Sequence, residues 1–278
     1  MPLPLFATAR TTHHEAIDWA TRASANGGTI STTVIRGVSA FCADIDRQGL
    51  RDRFARLSIF SGGNLSGALV PLYRSFSYGG TLIGSATDTN VNFVSGDFAE
   101  SGASAGLTGN GTTKHLNCGA SILSQLSVGN AHLSVSGASL AGGGGQNLMG
   151  AGGSGFNSLA ALQRGSLSTH KAFVNGTPTA EVNTTAGFSA GQLIASSVAT
   201  NDLRMFQNGT QNGSTVTTTR SGSLTANSVF VFAYNDNGTA ATRVAARLQS
   251  YSIGLGLNAT QAAAFSAAVA ALNTALGR

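Results

Sequence analysis

The stretch Leu193–Thr219, LIASSVATNDLRMFQNGTQNGSTVTTT, indicates the fold class of this chain. It contains two short runs typical of strands, Leu203–Gln207 and Thr215–Thr219, joined at Asn208-Gly209. Asn-Gly readily adopts positive φ at both central positions of a type I′ turn, whose twist matches that of the strands it connects. The stretch therefore predicts a β-hairpin.

The hairpin also carries an alternating pattern of side chains. Successive side chains of a strand point to opposite faces, so Leu203 and Met205 would share one face and Arg204 and Phe206 the other. We expect one face to enter a core and the other to meet solvent or a partner. No residue on it has a catalytic pattern, and the hairpin is expected to hold shape and present a surface.

The same turn signal recurs along the chain, each time followed by Ser or Thr, at Asn110-Gly111, Asn175-Gly176, Asn212-Gly213 and Asn237-Gly238. Short strand candidates follow one another at intervals of roughly ten to fifteen residues. They are Asn90–Val94, Lys114–Cys118, His132–Val135, Ala160–Gln163, Lys171–Val174, Gly191–Ser196, Leu203–Gln207, Thr215–Thr219, Ser228–Tyr234 and Arg247–Ile253. This spacing predicts a mostly β, antiparallel sandwich or barrel.

Helices are predicted at the beginning of the chain. Thr12 and Glu15 have the spacing of a capping box, which predicts a helix over Thr12–Ala25. A second helix should begin near Ser31 and end before Gly49, because apolar residues recur between these points at helical spacing. A further turn is expected over Arg51–Ala55.

The end of the chain predicts a terminal helix with a capping box formed by Asn258 and Gln261. Its apolar residues recur at helical spacing, at Phe265, Val269, Leu272 and Leu276. Its other faces are mostly Ala, small enough for the close approach of another helix. Packing on the first helices of the same chain is favoured over packing on another subunit. The predicted organisation is a helical segment over 1–54, a sandwich over 55–257 and a helix over 258–278.

One low-complexity tract, Gly137–Gly155, is too rich in Gly to suggest a packed element. A phosphate-binding loop would need Lys-Ser/Thr after its last Gly, and a dinucleotide-binding turn would need a following helix. Neither pattern is present, so the tract is predicted to be a flexible or tightly turning surface loop.

Composition argues against two classes of partner. Charged residues make up only 10% of the chain and the net charge is +5, but the only close group of cations is Arg47, Arg51, Arg53 and Arg56. Ion pairing within helices explains this group better than a phosphate-binding stripe, so nucleic acid is not an expected partner. No apolar run approaches the roughly 18 residues of a membrane span, and no membrane partner is expected. Cys42 and Cys118 are predicted to be buried, reduced thiols.

The search for catalytic groups gives no candidates. Glycoside hydrolysis needs two carboxyl groups about 5 to 10 Å apart, yet the glutamates are only Glu15, Glu100 and Glu181, and no strand carries a suitably spaced pair. The histidines lack the spacing of a zinc site. Gly102-Ala-Ser-Ala-Gly106 matches a nucleophile elbow in letters only, because no strand candidate precedes it.

The sequence leaves two kinds of binding site as alternatives, a calcium site and a glycan-binding surface. Calcium could be held by oxygen-rich turns, for which the candidates are Asp88, Asn90 and Asp236, although an Asp in a tight turn more often caps its own backbone. A glycan surface would use exposed aromatic rings, and the candidates are Tyr73, Tyr78, Phe206 and Tyr234. No other cofactor or metal is expected.

Three segments together resemble a known family. They are the turn-rich run Gly106–Gly119 (GLTGNGTTKHLNCG), the hairpin segment Asp202–Gly209 and the run Tyr251–Gln261 (YSIGLGLNATQ). They are similar to tailed-phage and prophage virion-associated proteins with a concanavalin A-like, laminin-G-type sandwich, over roughly Phe54 to the end. Asn117-Cys118 departs from the Asp-Thr that is more usual there.

This resemblance implies a jelly-roll sandwich with no catalytic residues, in a structural or adhesive protein of a bacteriophage particle. The first hypothesis is a non-enzymatic virion protein for head decoration, tail, baseplate or fibre. It would be made in the bacterial cytoplasm without a signal peptide, associate with other virion proteins as a homo-oligomer, and contact host surface polysaccharide. The alternative is a carbohydrate-binding module, and a more distant one is a polysaccharide-degrading enzyme.

Overall fold

The computed structural model describes residues 12–140, 143–153, 160–164, 169–174, 181–185 and 188–278. The helices are α1 (His14–Ala25), α2 (Thr32–Arg47), α3 (Leu65–Ala68) and α4 (Ala259–Ala275), with 3₁₀ turns at Arg51–Arg53, Ser95–Asp97 and Leu123–Gln125. The strands are β1 (Phe54–Ser58), β2 (Thr89–Val91), β3 (Phe98–Ala99), β4 (Gly106–Thr108), β5 (His115–Asn117), β6 (Ala131–Ser139), β7 (Asn147–Gly152), β8 (Ala160–Arg164), β9 (His170–Val174), β10 (Val182–Asn183), β11 (Gly191–Ala199), β12 (Asp202–Gln207), β13 (Thr210–Gln211), β14 (Phe230–Val231), β15 (Tyr234–Asp236), β16 (Thr239–Ala241) and β17 (Arg247–Gly254).

The strands form the two sheets of a sandwich, which confirms the predicted mostly β, jelly-roll class. Within the described residues, the first sheet has the order β13-β12-β11-β6-β17-β4-β3, with β1 added beside β17. The second has the order β10-β9-β8-β7-β14-β5-β2, with β15 and β16 added beside β7. All neighbours pair antiparallel except β15 and β7, which are parallel.

The stretch Leu193–Thr219 forms a hairpin, but its main turn differs from the predicted one. Its long strands β11 and β12 are joined through Thr200-Asn201, whereas Asn208-Gly209 connects β12 to the short β13. Asn208 and Gly209 both have positive φ, 48° and 83°, as a type I′ turn requires. The predicted strand Thr215–Thr219 is reduced to one bridge between Val216 and Leu203.

The alternation in β12 places its side chains in two separate cores. Leu203 and Met205 are buried in the sandwich core between the sheets. Phe206, on the opposite face, is also fully buried, in a second core between the first sheet and the helices. The first sheet is therefore covered on both faces, and the expectation that the outer face of this hairpin meets solvent is wrong at Phe206.

Helices α1 and α2 supply one side of the second core. Ser31 caps α2, accepting a hydrogen bond from Val34 N at 3.2 Å, and the apolar stripe of α2 is buried as predicted. The cap of α1 is His13 rather than Thr12, because Nδ1 of His13 accepts a hydrogen bond from Glu15 N. The expected turn after α2 is the 3₁₀ turn Arg51–Arg53.

Helix α4 completes the second core. Asn258 and Gln261 form the predicted capping box, with reciprocal hydrogen bonds of 3.0 Å. The helix packs against α2 at Gly37, where a Cβ atom would lie 3.3 Å from the Cβ of Ala275. In this structure α4 shares the second core with the first helices of its own chain.

Two strands that are buried along their whole length lie where the sequence predicts none. Strand β1 is buried along its whole length although it carries Arg56. Strand β7 falls inside the Gly-rich tract and is buried at all six positions, so the surface-loop prediction is wrong there. Glycine is present in this buried strand because neighbouring strands pack closely: a Cβ at Gly150 would lie 2.7 Å from the Cβ of Ala161 on β8. Asn175-Gly176 lies outside the described residues.

Cys42 and Cys118 are buried and unbridged, as predicted. In the described part of the chain, no helix has the length and apolar character needed to cross a membrane.

Candidate functional site: the clefts beside loop 75–84

Two cavities flank the surface loop Ser75–Gly84, SFSYGGTLIG. The first, which we call the α1 cleft, has a volume of about 310 Å³ and lies between this loop, α1 and the turn after α2. Its lining is mostly polar and consists of Glu15, Asp18, Arg22, Arg51, Leu72, Arg74, Ser75, Tyr78, Gly79 and Gly80. The second cleft, about 460 Å³, lies between the same loop and residues 120–125.

Helix α1 places two carboxylates on the wall of the α1 cleft, three residues apart and therefore on one helix face. Asp18 accepts a hydrogen bond of 2.8 Å from Nε of Arg22, one turn further along. The two Nη atoms of Arg22 donate to the carbonyl oxygens of Pro71 and Leu72, at 2.8 and 3.0 Å. Burial lowers the pKa of Arg22. This arginine therefore joins α1 to the segment that leads into the loop.

Glu15 and Arg51 form the deeper part of the cleft. Arg51 Nε donates to Glu15 Oε1 at 2.6 Å, and its Nη1 donates to the carbonyl of Ser75 at 2.9 Å. The same guanidinium lies 4.0 Å above the ring of Tyr73. Glu15 is buried, and its Oε2 has no hydrogen-bond partner among the described residues. Arg51 is thus held in place by a carboxylate, a carbonyl and an aromatic face.

The rim of the cleft carries two groups that are free to meet a ligand. The side chain of Arg74 is half-buried and makes no hydrogen bond or ion pair with any described residue. Tyr78 is 58% exposed, and its ring contacts His14 edge-on at 4.5 Å. The cleft therefore offers an unpaired cation beside an exposed aromatic ring.

The loop is held at both ends. Ile83 N donates to the carbonyl of Arg74 at 2.8 Å, which closes the base of the loop. Beneath its far end, Nη1 of the buried Arg56 donates to the carbonyls of Ile83 and Ser85, at 3.3 and 2.7 Å. The fold thus presents Tyr78 on a loop with a fixed base.

Of the four predicted aromatic candidates, only Tyr78 can meet a ligand. Tyr73 is 1% exposed and lies under Arg51, and Phe206 is fully buried in the second core. Tyr234 is 2% exposed and packs with Ala161, and burial raises its pKa. These three are therefore wrong as ligand-binding candidates, because a buried ring has no face to offer.

Two of the three calcium candidates, Asp88 and Asn90, make hydrogen bonds within the protein itself. Both carboxylate oxygens of Asp88 accept from Tyr251 Oη at 2.8 Å, and Oδ1 also pairs with Arg56. Asn90 Oδ1 accepts from Phe93 N at 2.8 Å within its own turn. Asp236 ends β15, and its neighbour Asn235 caps the following turn through Gly238 N. Asp88 is therefore not available to an ion.

A different group has the ligand types of a metal site. In the described part of the chain, His13, His14 and Glu15 are the one set of three potential ligands whose atoms lie within 4.8 Å of one another. However, His13 Nε2 lies 3.0 Å from Asp46 Oδ2, and its Nδ1 caps α1. Both ring nitrogens of His13 are thus already engaged.

A histidine and a serine that the sequence does not single out lie together inside the protein. His132 Nε2 is 2.8 Å from Ser252 Oγ, and its Nδ1 is 2.7 Å from the carbonyl oxygen of Leu255. Burial lowers the pKa of His132 to about 4, with the Leu255 contact opposing the shift. The pair resembles a nucleophile and its base, but both residues are fully buried, and the His132 ring packs against the rings of Phe54 and Phe265. The pair therefore has no access to substrate.

The chain is similar to several solved structures, whereas no family model and no curated protein matches it. The CBM40 module of a Ruminococcus gnavus IT-sialidase has 12% identity and a TM-score of 0.41, covering 50% of this chain and 84% of that one. A Trypanosoma rangeli sialidase in complex with the inhibitor DANA has 14% identity and a TM-score of 0.48, covering 76% of this chain. The chain spans 32% of the length of that sialidase. At these values the similarity transfers no ligand, activity or functional residue to this chain.

Proposed function

We propose that this protein is a non-catalytic recognition protein that binds a glycan over loop 75–84. The observation that carries the proposal is Tyr78, an exposed ring on an anchored loop between two adjoining clefts. Sugar rings present both apolar C–H faces and hydroxyl groups, and an exposed tyrosine ring beside polar groups can meet both. Leu82, 44% exposed on the same loop, extends the apolar part of the surface.

Recognition rather than turnover is proposed because the carboxylates of the α1 cleft are already engaged. Glu15 pairs with Arg51 at 2.6 Å and Asp18 with Arg22 at 2.8 Å. A glycosidase needs one carboxyl group that donates a proton and another that attacks or activates water. In this arrangement each carboxylate is held by an arginine of the protein itself.

The test is a glycan-array screen of the purified chain, followed by titration of the strongest binder. We expect Tyr78→Ala to weaken binding at least tenfold, and Tyr78→Phe, which keeps the ring, to weaken it much less. Val94→Ala is the control, because Val94 is 61% exposed and lines neither cleft. Binding that is unchanged in Tyr78→Ala would contradict this site, and release of sugar from any bound polysaccharide would contradict the non-catalytic assignment.

A place in a bacteriophage particle is a second, compatible proposal, supported by the sequence resemblance of residues 106–119, 202–209 and 251–261 to virion-associated proteins. Such a protein would contact host polysaccharide through loop 75–84 while other surfaces contact its virion partners or further copies of the chain. Mass spectrometry and electron microscopy of purified particles test this proposal. Absence of the protein from assembled particles would contradict it.

A further inference from the structure

We infer that the α1 cleft binds a singly charged anionic group of the glycan, a carboxylate or a sulfate ester, with Arg74 as its principal cation. This inference rests on the proposed glycan-binding function and names the chemical class of its ligand. It comes from the balance of charges in the cleft.

The cleft contains one cation more than it has anions. Its charged lining residues are three arginines and two carboxylates, and the carboxylates are matched to Arg22 and Arg51 in ion pairs. Arg74 is left over, with no partner among the described residues. An unpaired, half-buried guanidinium with its donors directed to no protein acceptor is a receptor for an anion.

Arg51 supplies a second donor. Its Nε and Nη1 are used by Glu15 and Ser75, while its Nη2 makes no hydrogen bond to any described residue. The planar guanidinium is also held over Tyr73, so little side-chain freedom is lost when an anion is bound. Two guanidinium groups lining one cleft suit a group with several acceptor oxygens.

The net charge selects a monoanion. A phosphate monoester carries −1.5 to −2 at neutral pH, and its second charge would face Glu15 and Asp18 without a cation to balance it. A carboxylate or a sulfate ester carries one charge and matches Arg74. The nearby ring of Tyr78 can then lie against the sugar that bears this group.

The test uses the whole chain on an array of uronic acid-containing, sulfated, phosphorylated and neutral polysaccharides. We expect binding to uronic acid-containing or sulfated polysaccharides, at least tenfold weaker in Arg74→Ala and weakened by added salt. Arg36→Ala is the matched control, since Arg36 is exposed on α2, lines neither cleft and changes the net charge equally. Thermal unfolding of both variants checks that each is folded.

A matched pair of ligands separates the two sources of charge. If the ligand contains uronic acid, the carboxyl-reduced form of the same polysaccharide should lose the binding that depends on Arg74. If the ligand is sulfated, its desulfated form should lose that binding. Preference for phosphate monoesters, or equal binding of charged and neutral forms with no effect of Arg74→Ala, would overturn this inference and leave the proposed function intact. No binding to any glycan would overturn both.

Discussion

Arg56 Nη2 lies 2.6 Å from Oδ1 of Asp88, and neither side chain has any exposed surface. Tyr251 Oη joins the pair by donating to Asp88 and accepting from Arg56 Nε at 2.9 Å. Burial alone would lower the pKa of Arg56, but its interactions with Tyr251 and Asp88 outweigh burial and leave the pKa raised. This cluster connects β1, β17 and the far end of loop 75–84, so the sandwich core supports the proposed binding surface.

We predict that Asp88→Asn destabilises the protein by about 3 to 5 kcal/mol, because it leaves the Arg56 charge buried without a counterion. Urea unfolding measures this change. The matched control is Asp52→Asn: Asp52 has a 73% exposed side chain 3.7 Å from Arg53 and should contribute less than about 1 kcal/mol. A loss below about 1 kcal/mol in Asp88→Asn would contradict the role given to the buried pair.

Stability should fall on mild acidification because of His132. Its folded pKa of about 4 lies below the ordinary value of 6.5, so the unfolded chain binds a proton more readily. The stability associated with neutral His132 is fully present above pH 6.5 and is lost as the pH falls toward 4. Between pH 7.5 and 5.0 we expect a loss of about 2 kcal/mol from this residue.

Urea unfolding at the two pH values measures the total loss, and His132→Gln should reduce it because Gln does not titrate. An NMR titration of the His132 ring gives a direct check. A folded-state pKa above 6 would contradict the prediction.

Much of the fold follows from local signals, and the exceptions have physical causes. The caps Ser31 and Asn258 mark the starts of α2 and α4 because side-chain capping is encoded within a few residues. Strand β1 is not predictable in this way, since Arg56 reads as solvent-exposed until Asp88, 32 residues away, neutralises it. Strand β7 is predicted to be a loop because it is rich in Gly. The role of Gly150, which is close packing against β8, depends on a neighbouring strand.

The candidate site is less predictable from the sequence than the fold is. Tyr78 is among the predicted ring candidates, but nothing local separates it from Tyr73, which α1 and Arg51 cover. No local sequence pattern marks Arg74 as an unpaired cation, because this can be recognised only when the positions of all neighbouring carboxylates in the fold are known. The sequence predicts only a helix-capping role for Glu15, because its ion pair with Arg51 depends on how α1 meets the turn after α2.

The close packing of β7 against β8 predicts that Gly150→Ala destabilises the protein by about 1 to 3 kcal/mol. The new Cβ would lie 2.7 Å from the Cβ of Ala161 and 2.8 Å from the Ala160 oxygen, so the strands must move apart. Gly143→Ala is the control within the same Gly-rich tract, because a Cβ there meets nothing within 4 Å. Equal unfolding midpoints for the two variants in urea would contradict the packing argument.

Packing of α4 on its own chain predicts that Phe265→Ala costs about 3 to 5 kcal/mol at any protein concentration. Phe265 is 1% exposed, and its ring centroid lies 4.7 Å from that of Phe54 at the start of β1. Because both rings belong to one chain, diluting the protein should not change the cost, whereas a helix held by another subunit would show a cost that grows on dilution. Urea unfolding over a hundredfold range of concentration distinguishes these outcomes, with Ala267→Gln on the exposed face of α4 as the control. A concentration-dependent loss in Phe265→Ala would show that α4 also serves an interface between copies.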